Sequence, residues 1–226
     1  MQNWIDQFFR AYLEAFPPKK VYTNEMPKEM MASPVDDDGW FEWCLIRGTL
    51  PEEDYGNLEK QFNIQLPRSF VTWHRSYFFL DGDTSLMRLP YSNPAKLLDE
   101  IRTLLDWFIP QQIIPQKLYP FASEGNDMGL LVFDGREQQN NNEFPIRIYD
   151  HDYDGDLDGL SEVIFSSFHK LIECLTHYFQ ELKHRKNFEI IPDFFQIDTE
   201  GAGKSGKDYW KEWADMMRAN FEEFGY

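Results

Sequence analysis

Apolar residues recur every three or four positions at the start of the chain, as Trp4, Ile5, Phe8, Phe9, Tyr12, Leu13 and Phe16, until Pro17-Pro18 ends the pattern. That spacing predicts an amphipathic first helix. From Lys19 to Asp38 the periodicity is lost. Pro27, Pro34 and Asp36-Asp37-Asp38 predict an irregular connection with room for one short element. The aromatic run Trp40-Phe41-Glu42-Trp43 is expected to dock on the core. Thr49 and Glu52 have capping-box spacing ahead of a helical Tyr55, Leu58 and Phe62. Leu66-Pro67 predicts the opening of another helix, with Phe70, Trp73, His74, Tyr77 and Phe78 as its apolar face. Asp81-Gly82 is a turn signal and Ser85 to Leu89 a short strand candidate. Asn93-Pro94 reads as the cap of a helix whose buried stripe is Leu97, Leu98, Ile101, Leu104, Leu105 and Phe108.

The pattern then changes to adjacent β segments: Leu118 to Ala122, Gly129 to Asp134 and Pro145 to Asp150. Glu124-Gly125-Asn126-Asp127 is the expected hairpin loop between the first two, and Gln138 to Glu143 joins the second and third. Helical spacing returns at Phe168, Leu171, Ile172, Leu175, Tyr178, Phe179 and Leu182. It returns again at Tyr209, Trp210, Trp213, Met216, Met217, Phe221 and Phe224. Between them, Thr199 to Lys207 reads as a flexible Gly-rich loop. Helices at both ends around a central run of strands predict one α+β domain with a mostly antiparallel sheet.

Composition narrows the functional classes. Aromatic residues are 17% of the chain, which requires a packed core. The net charge is −17, with 22 basic against 39 acidic residues, so phosphate-backbone binding is not expected. An acidic surface of this kind attracts a basic protein. Cys44 and Cys174 form no CxxC pair or disulfide framework. Met1 to Asp6 lacks the basic and apolar regions of a signal peptide, and no apolar run is long enough to span a bilayer. A reduced, cytoplasmic protein is the expectation, as a monomer or weak homodimer without membrane contact.

The densest local feature is Asp150-His151-Asp152-Tyr153-Asp154-Gly155-Asp156-Leu157-Asp158-Gly159. Its opening fits a calcium loop, but Ser161 stands where the closing bidentate Glu belongs and Glu162 comes one residue late. No tight metal site is expected. If the segment stays extended, alternation puts Asp150, Asp152 and Asp154 on one side, an acidic ridge for a partner's lysines and arginines. The plainer alternative is a solvated loop held by Asx turns. Partner-contact candidates are therefore Asp150, Asp152, Asp154, Asp156 and Asp158, with Glu124 and Asp127 of the hairpin and the aromatic Trp40 and Trp43. The five histidines show no metal-ligand spacing. Gly203-Lys204-Ser205 echoes a P-loop, but Asp198 occupies the place of the motif's first glycine. No catalytic set and no cofactor emerge.

Four blocks in order resemble the SUKH superfamily, which includes the Smi/Knr regulators of cell-wall synthesis. Leu58 to Phe70, centred on Leu66-Pro67, resembles its helix pair. Tyr119 to Ala122 with Gly129 to Asp134 resembles its central hairpin. Pro145 to Asp152 resembles its third strand, and Ser166 to Ile172 its closing helix. The resemblance covers residues 39–179, with 1–38 and 187–226 as helical extensions, and Asn126 stands where the family often has Gly. It implies a twisted, largely antiparallel sheet flanked by helices and a non-catalytic protein that works by binding. Immunity against a polymorphic toxin, often a nuclease, is the first expectation. A regulatory scaffold is the second. A metal-assisted hydrolase built on the Asp150 to Asp158 cluster is the third, and comes from the residues alone.

Overall fold

The computed structural model describes residues 3–17, 20–22, 26–137 and 142–225. The chain is α+β. Helix α1 (Asn3–Ala15) leads into strand β1 (Lys20–Tyr22), which pairs antiparallel with β2 (Trp40–Glu42). Strand β3 (Ile46–Arg47) pairs with β4 (Tyr77–Phe78), and between them lie α2 (Glu52–Phe62) and α3 (Arg68–His74). Then come β5 (Met87–Arg88), α4 (Asp99–Leu105) and α5 (Phe108–Ile113). Strands β6 (Leu118–Glu124), β7 (Gly129–Asp134) and β8 (Ile146–Asp150) complete a four-stranded antiparallel sheet in the order β5-β6-β7-β8. Helix α6 (Phe168–Glu181), the short α7 (Asn187–Ile190) and α8 (Phe194–Ile197), and α9 (Lys207–Phe224) close the chain.

The sheet is covered on both faces, which explains why every residue of β7 is buried. Alternation sends Leu131 and Phe133 into the large core with Phe121, Ile146 and Ile148, where Phe70 of α3 and Phe168 of α6 pack. The opposite face carries Leu130, Val132 and Tyr149, with Leu104 of α4 and Ile113 of α5 laid over them. The segment Leu160 to Phe165 runs antiparallel beside β8, through bridges of Tyr149 to Leu160 and of Ile146 to Phe165. It covers what would be an open sheet edge.

Both terminal helices belong to the main core. Phe8, Phe9 and Tyr12 of α1 and Trp210 and Trp213 of α9 are buried in it. The Trp210 indole N–H donates to the Ile164 carbonyl at 3.0 Å.

Several expectations need correction. Thr49 caps nothing: α2 starts after Pro51, which makes no side-chain cap. Helix α3 stops at His74, and Tyr77 and Phe78 leave its face to pair with Arg47 and Ile46, because Gly48 donates to the Ser76 carbonyl and brings β3 alongside. The connection from Lys19 to Asp38, expected to hold one short element, holds two among its described residues, β1 and the 3-10 turn Lys28–Met30. Asn93 holds an Asx turn onto the Ala95 amide, so α4 begins only at Asp99. Gly201–Ser205 is not a flexible loop but a single π-helical turn. A Cβ on Gly201 would lie 2.2 Å from the Ser166 amide nitrogen, so this turn sits directly against the start of α6. The expected loop Gln138 to Glu143 lies mostly outside the described residues.

Candidate binding surface around α5 and the aspartate loop

The sheet register puts the hairpin tip Glu124 to Met128 and the aspartate loop at one end of the sheet, because Gly129 pairs with Asp150. The loop does not stay extended. After Asp150 come two short 3-10 turns, His151–Tyr153 and Leu157–Gly159. The Asp150 carboxylate accepts from the Asp152 amide at 2.9 Å, and that of Asp156 from the Asp158 amide at 3.0 Å. These are the Asx turns of the plainer alternative. The ridge of Asp150, Asp152 and Asp154 on one strand face is therefore not formed, since backbone capping wins over extension.

The Tyr149 hydroxyl decides where the loop goes. It accepts from the Gly155 amide at 2.7 Å and donates to the Asp156 carbonyl at 2.9 Å. Tyr149 faces α5, so the loop curls back over that helix. Gly155 adopts a φ of +100°, and a Cβ there would stand 2.7 Å from the Gln112 Cβ. Gln116 donates to the Gly155 carbonyl at 2.7 Å. Gly155→Ala is expected to push the loop off α5 at a cost of about 1–2 kcal/mol. Chemical denaturation gives the cost, and NMR of the Gln116 side-chain amide reports the lost contact. An unchanged Gln116 resonance would count against this anchoring.

Asp152, Asp154, Asp156 and Asp158 are exposed, Asp150 is partly buried, and Tyr153 and Leu157 are exposed among them. Asp127 is exposed at the hairpin tip with a φ of 63°. Glu124 is instead buried. Its carboxylate accepts from the Asn126 amide at 2.6 Å and the Trp213 indole at 2.8 Å, so it shapes the hairpin and docks α9. Trp43 is also buried, and its side chain is core and not contact surface. Trp40 remains outside, against Tyr22 on the separate β1–β2 sheet. Among the described residues, no three His, Cys, Asp or Glu side chains form a group able to hold a metal.

Trp107 and Phe108 form the part of this surface that periodicity missed. They stand at the α4–α5 junction, 54% and 64% exposed, and Phe108 is the most exposed large apolar side chain among the described residues. The helical stripe placed Phe108 in the core. The overlooked signal is Pro110, which fits only the first turn of a new helix and so breaks the stripe after Leu105. Phe108 and Gln112 are four residues apart on α5, so they lie one above the other on one face. Gln112 touches Gly155, so the aromatic pair and the carboxylates share one side of the molecule.

A groove of about 230 Å³ continues this surface past Trp107, lined by Arg88, Leu89, Glu100, Thr103, Trp107 and Phe121. Burial pushes the Glu100 carboxyl above the ordinary range, the Tyr91 hydroxyl pulls it back, and the neighbouring Asp99 adds to the rise. Elsewhere the buried Asp134 carboxyl works against its own desolvation. Hydrogen bonds from Arg136 and the charge of Arg147 outweigh that cost and hold its pKa below the usual range. That cluster is structural, joining the ends of β7 and β8.

No protein-family model matches the chain, and no curated protein matches it. No helix among the described residues is long and apolar enough to cross a membrane.

Proposed function

We propose that this chain is a non-catalytic protein-binding module that captures a basic protein through the α5 side, and that, following the SUKH resemblance, it acts as an immunity protein against a toxin domain. The supporting observation is the exposed pair Trp107 and Phe108 one helical turn from the contact between Gln112 and the aspartate loop. Aromatic anchors inside a charged rim are the usual anatomy of a protein-binding hot spot. Burying one such ring contributes about 1.5–3 kcal/mol. The carboxylates act on encounter: they steer a basic partner and are screened by salt. Bound there, the module would cover the partner's active site and block its substrate.

The test uses a panel of purified basic nuclease toxin domains, with kinetics read by surface plasmon resonance at two salt concentrations. Asp152, Asp154 and Asp158 are replaced together by Asn, and Asp150 and Asp156 are left alone because they cap the loop. This triple variant is expected to slow association with little change in dissociation, and added salt should shrink the difference. Phe108→Ser is expected to speed dissociation about tenfold or more. A toxin domain that is bound and inhibited equally by wild type and both variants would move the binding face elsewhere. Failure to bind any basic toxin domain would remove the immunity assignment.

A further inference from the structure

We infer that the groove between α4 and the β5–β6 edge is a receptor for one arginine side chain of the partner, its guanidinium laid on the Trp107 indole and paired with the Glu100 carboxylate. The inference rests on the binding-module reading above and names the anchor that the module would take.

Size comes first. At about 230 Å³ the groove is smaller than the ~300–1,000 Å³ of a small-molecule site, and it suits one long side chain. Its apolar lining is Pro90 and Leu104 beside Trp107, which matches the methylene stem of arginine. Its rim is the exposed Trp107, whose indole face attracts a planar cation more strongly than a phenyl or phenol ring does.

The charge arrangement then selects a cation. Glu100 is partly buried, and no cation is among the groups that act on it. The groups acting on it are the nearby Tyr91 hydroxyl and the like charge of Asp99. Arg88 lines the groove but is exposed and forms no ion pair with Glu100. A half-desolvated carboxylate without a cation is costly, and an incoming guanidinium offsets that cost through charge-assisted hydrogen bonds. Lysine fits less well, since its ammonium is a strongly hydrated point charge that cannot stack and bridge at once. Arginine is also among the residues most enriched at interface hot spots.

The pocket can be tested without knowing the partner. The probe is N-acetyl-arginine amide, compared with the lysine amide and the neutral citrulline amide. The readout is the Trp107 indole resonance in ¹H–¹⁵N NMR, assigned with Trp107→Phe. The arginine amide is expected to shift it saturably with a Kd of about 1–10 mM, the lysine amide to bind several-fold more weakly, and citrulline not to bind. Glu100→Gln is expected to weaken arginine binding by about fivefold or more while the remaining spectrum stays folded. Arg88→Ala, which removes a like charge at the mouth, should tighten it. A citrulline response equal to that of arginine, an unchanged affinity in Glu100→Gln, or no saturable shift of Trp107 would each overturn the assignment. If it falls while Phe108→Ser still speeds toxin dissociation, the module stands and only its anchor is misplaced. If arginine binds but no basic toxin domain does, the pocket stands and the immunity assignment falls.

Discussion

Asp198→Ala is expected to lower the unfolding free energy by about 3–5 kcal/mol, the largest effect of any single substitution considered for this chain. Asp198 is 1% exposed, and one carboxyl serves two segments. Its oxygens accept from the Ser166 amide at 2.7 Å and the Ser166 hydroxyl at 2.6 Å, at the entry to α6. They also accept from the Gly201 amide at 3.1 Å and the Ala202 amide at 3.3 Å, inside the π-helical turn. Truncation takes the carboxylate away from the buried Gly201 and Ala202 amides and from the part-buried Ser166, and each buried donor left unsatisfied costs about 1–3 kcal/mol before relaxation. For a chain of this size the melting temperature should drop by roughly 10 °C. Ser166→Ala removes one donor together with its need and should cost only about 1 kcal/mol. Urea denaturation of both variants decides the matter. A loss below ~1 kcal/mol in Asp198→Ala would mean that the strap between α8 and α9 is not anchored through this carboxyl.

Stability is also expected to fall as the pH drops from about 6.5 to about 4, with His74 supplying about 3 kcal/mol of the loss. His74 is fully buried, and burial pushes its pKa down from 6.5 to about 4, opposed in part by the bond to the Tyr91 carbonyl. The neutral ring is fully used: Nδ1 accepts from the Tyr55 hydroxyl at 2.6 Å and Nε2–H donates to the Tyr91 carbonyl at 3.2 Å. Between the two pKa values the unfolded chain binds a proton and the folded chain does not. Acid therefore favours unfolding in that window, and the contribution is intact above pH 6.5. Carboxylates such as Asp134, whose pKa is depressed, act mainly below the usual carboxylate range. Glu100 and Glu143, whose pKa values burial raises, favour the folded chain as the pH falls and oppose the histidine, so the comparison with a His74 variant is what separates it in this window. His74→Phe should flatten the stability profile there, at the price of an unpaired Tyr55 hydroxyl, and His74→Phe with Tyr55→Phe should recover part of that loss. An equal slope in wild type and His74→Phe would remove the histidine as its cause.

The two predictions rest on residues that were unequally legible. The helical stripes of α1, α6 and α9 could be read from their repeat, and β6, β7 and β8 as apolar runs bounded by turn residues. Short elements could not. Strands β3 and β4 are two residues each and exist only because they find one another. Thr49 with Glu52 had a cap's spacing, yet Pro51 took the position. The place of His74 on an apolar helix face was legible, but its bond to Tyr55 and that of Asp198 to Ser166 were not, since those partners are distant in the chain.

The binding surface divides in the same way. Its charge was plain in the sequence, with five aspartates between Asp150 and Asp158, and so were the Asx turns that short acidic residues favour. Taken alone, the sequence determined an α+β chain with an aromatic core and an acidic exterior, because both follow from composition and period. Only the tertiary structure decided which aromatic and acidic residues face outward. Glu124 and Trp43 went inside and Phe108 stayed out. Exposure depends on what another part of the chain lays over a residue: α9 covers Glu124, the main core takes Trp43, and none of the described segments covers the α4–α5 junction.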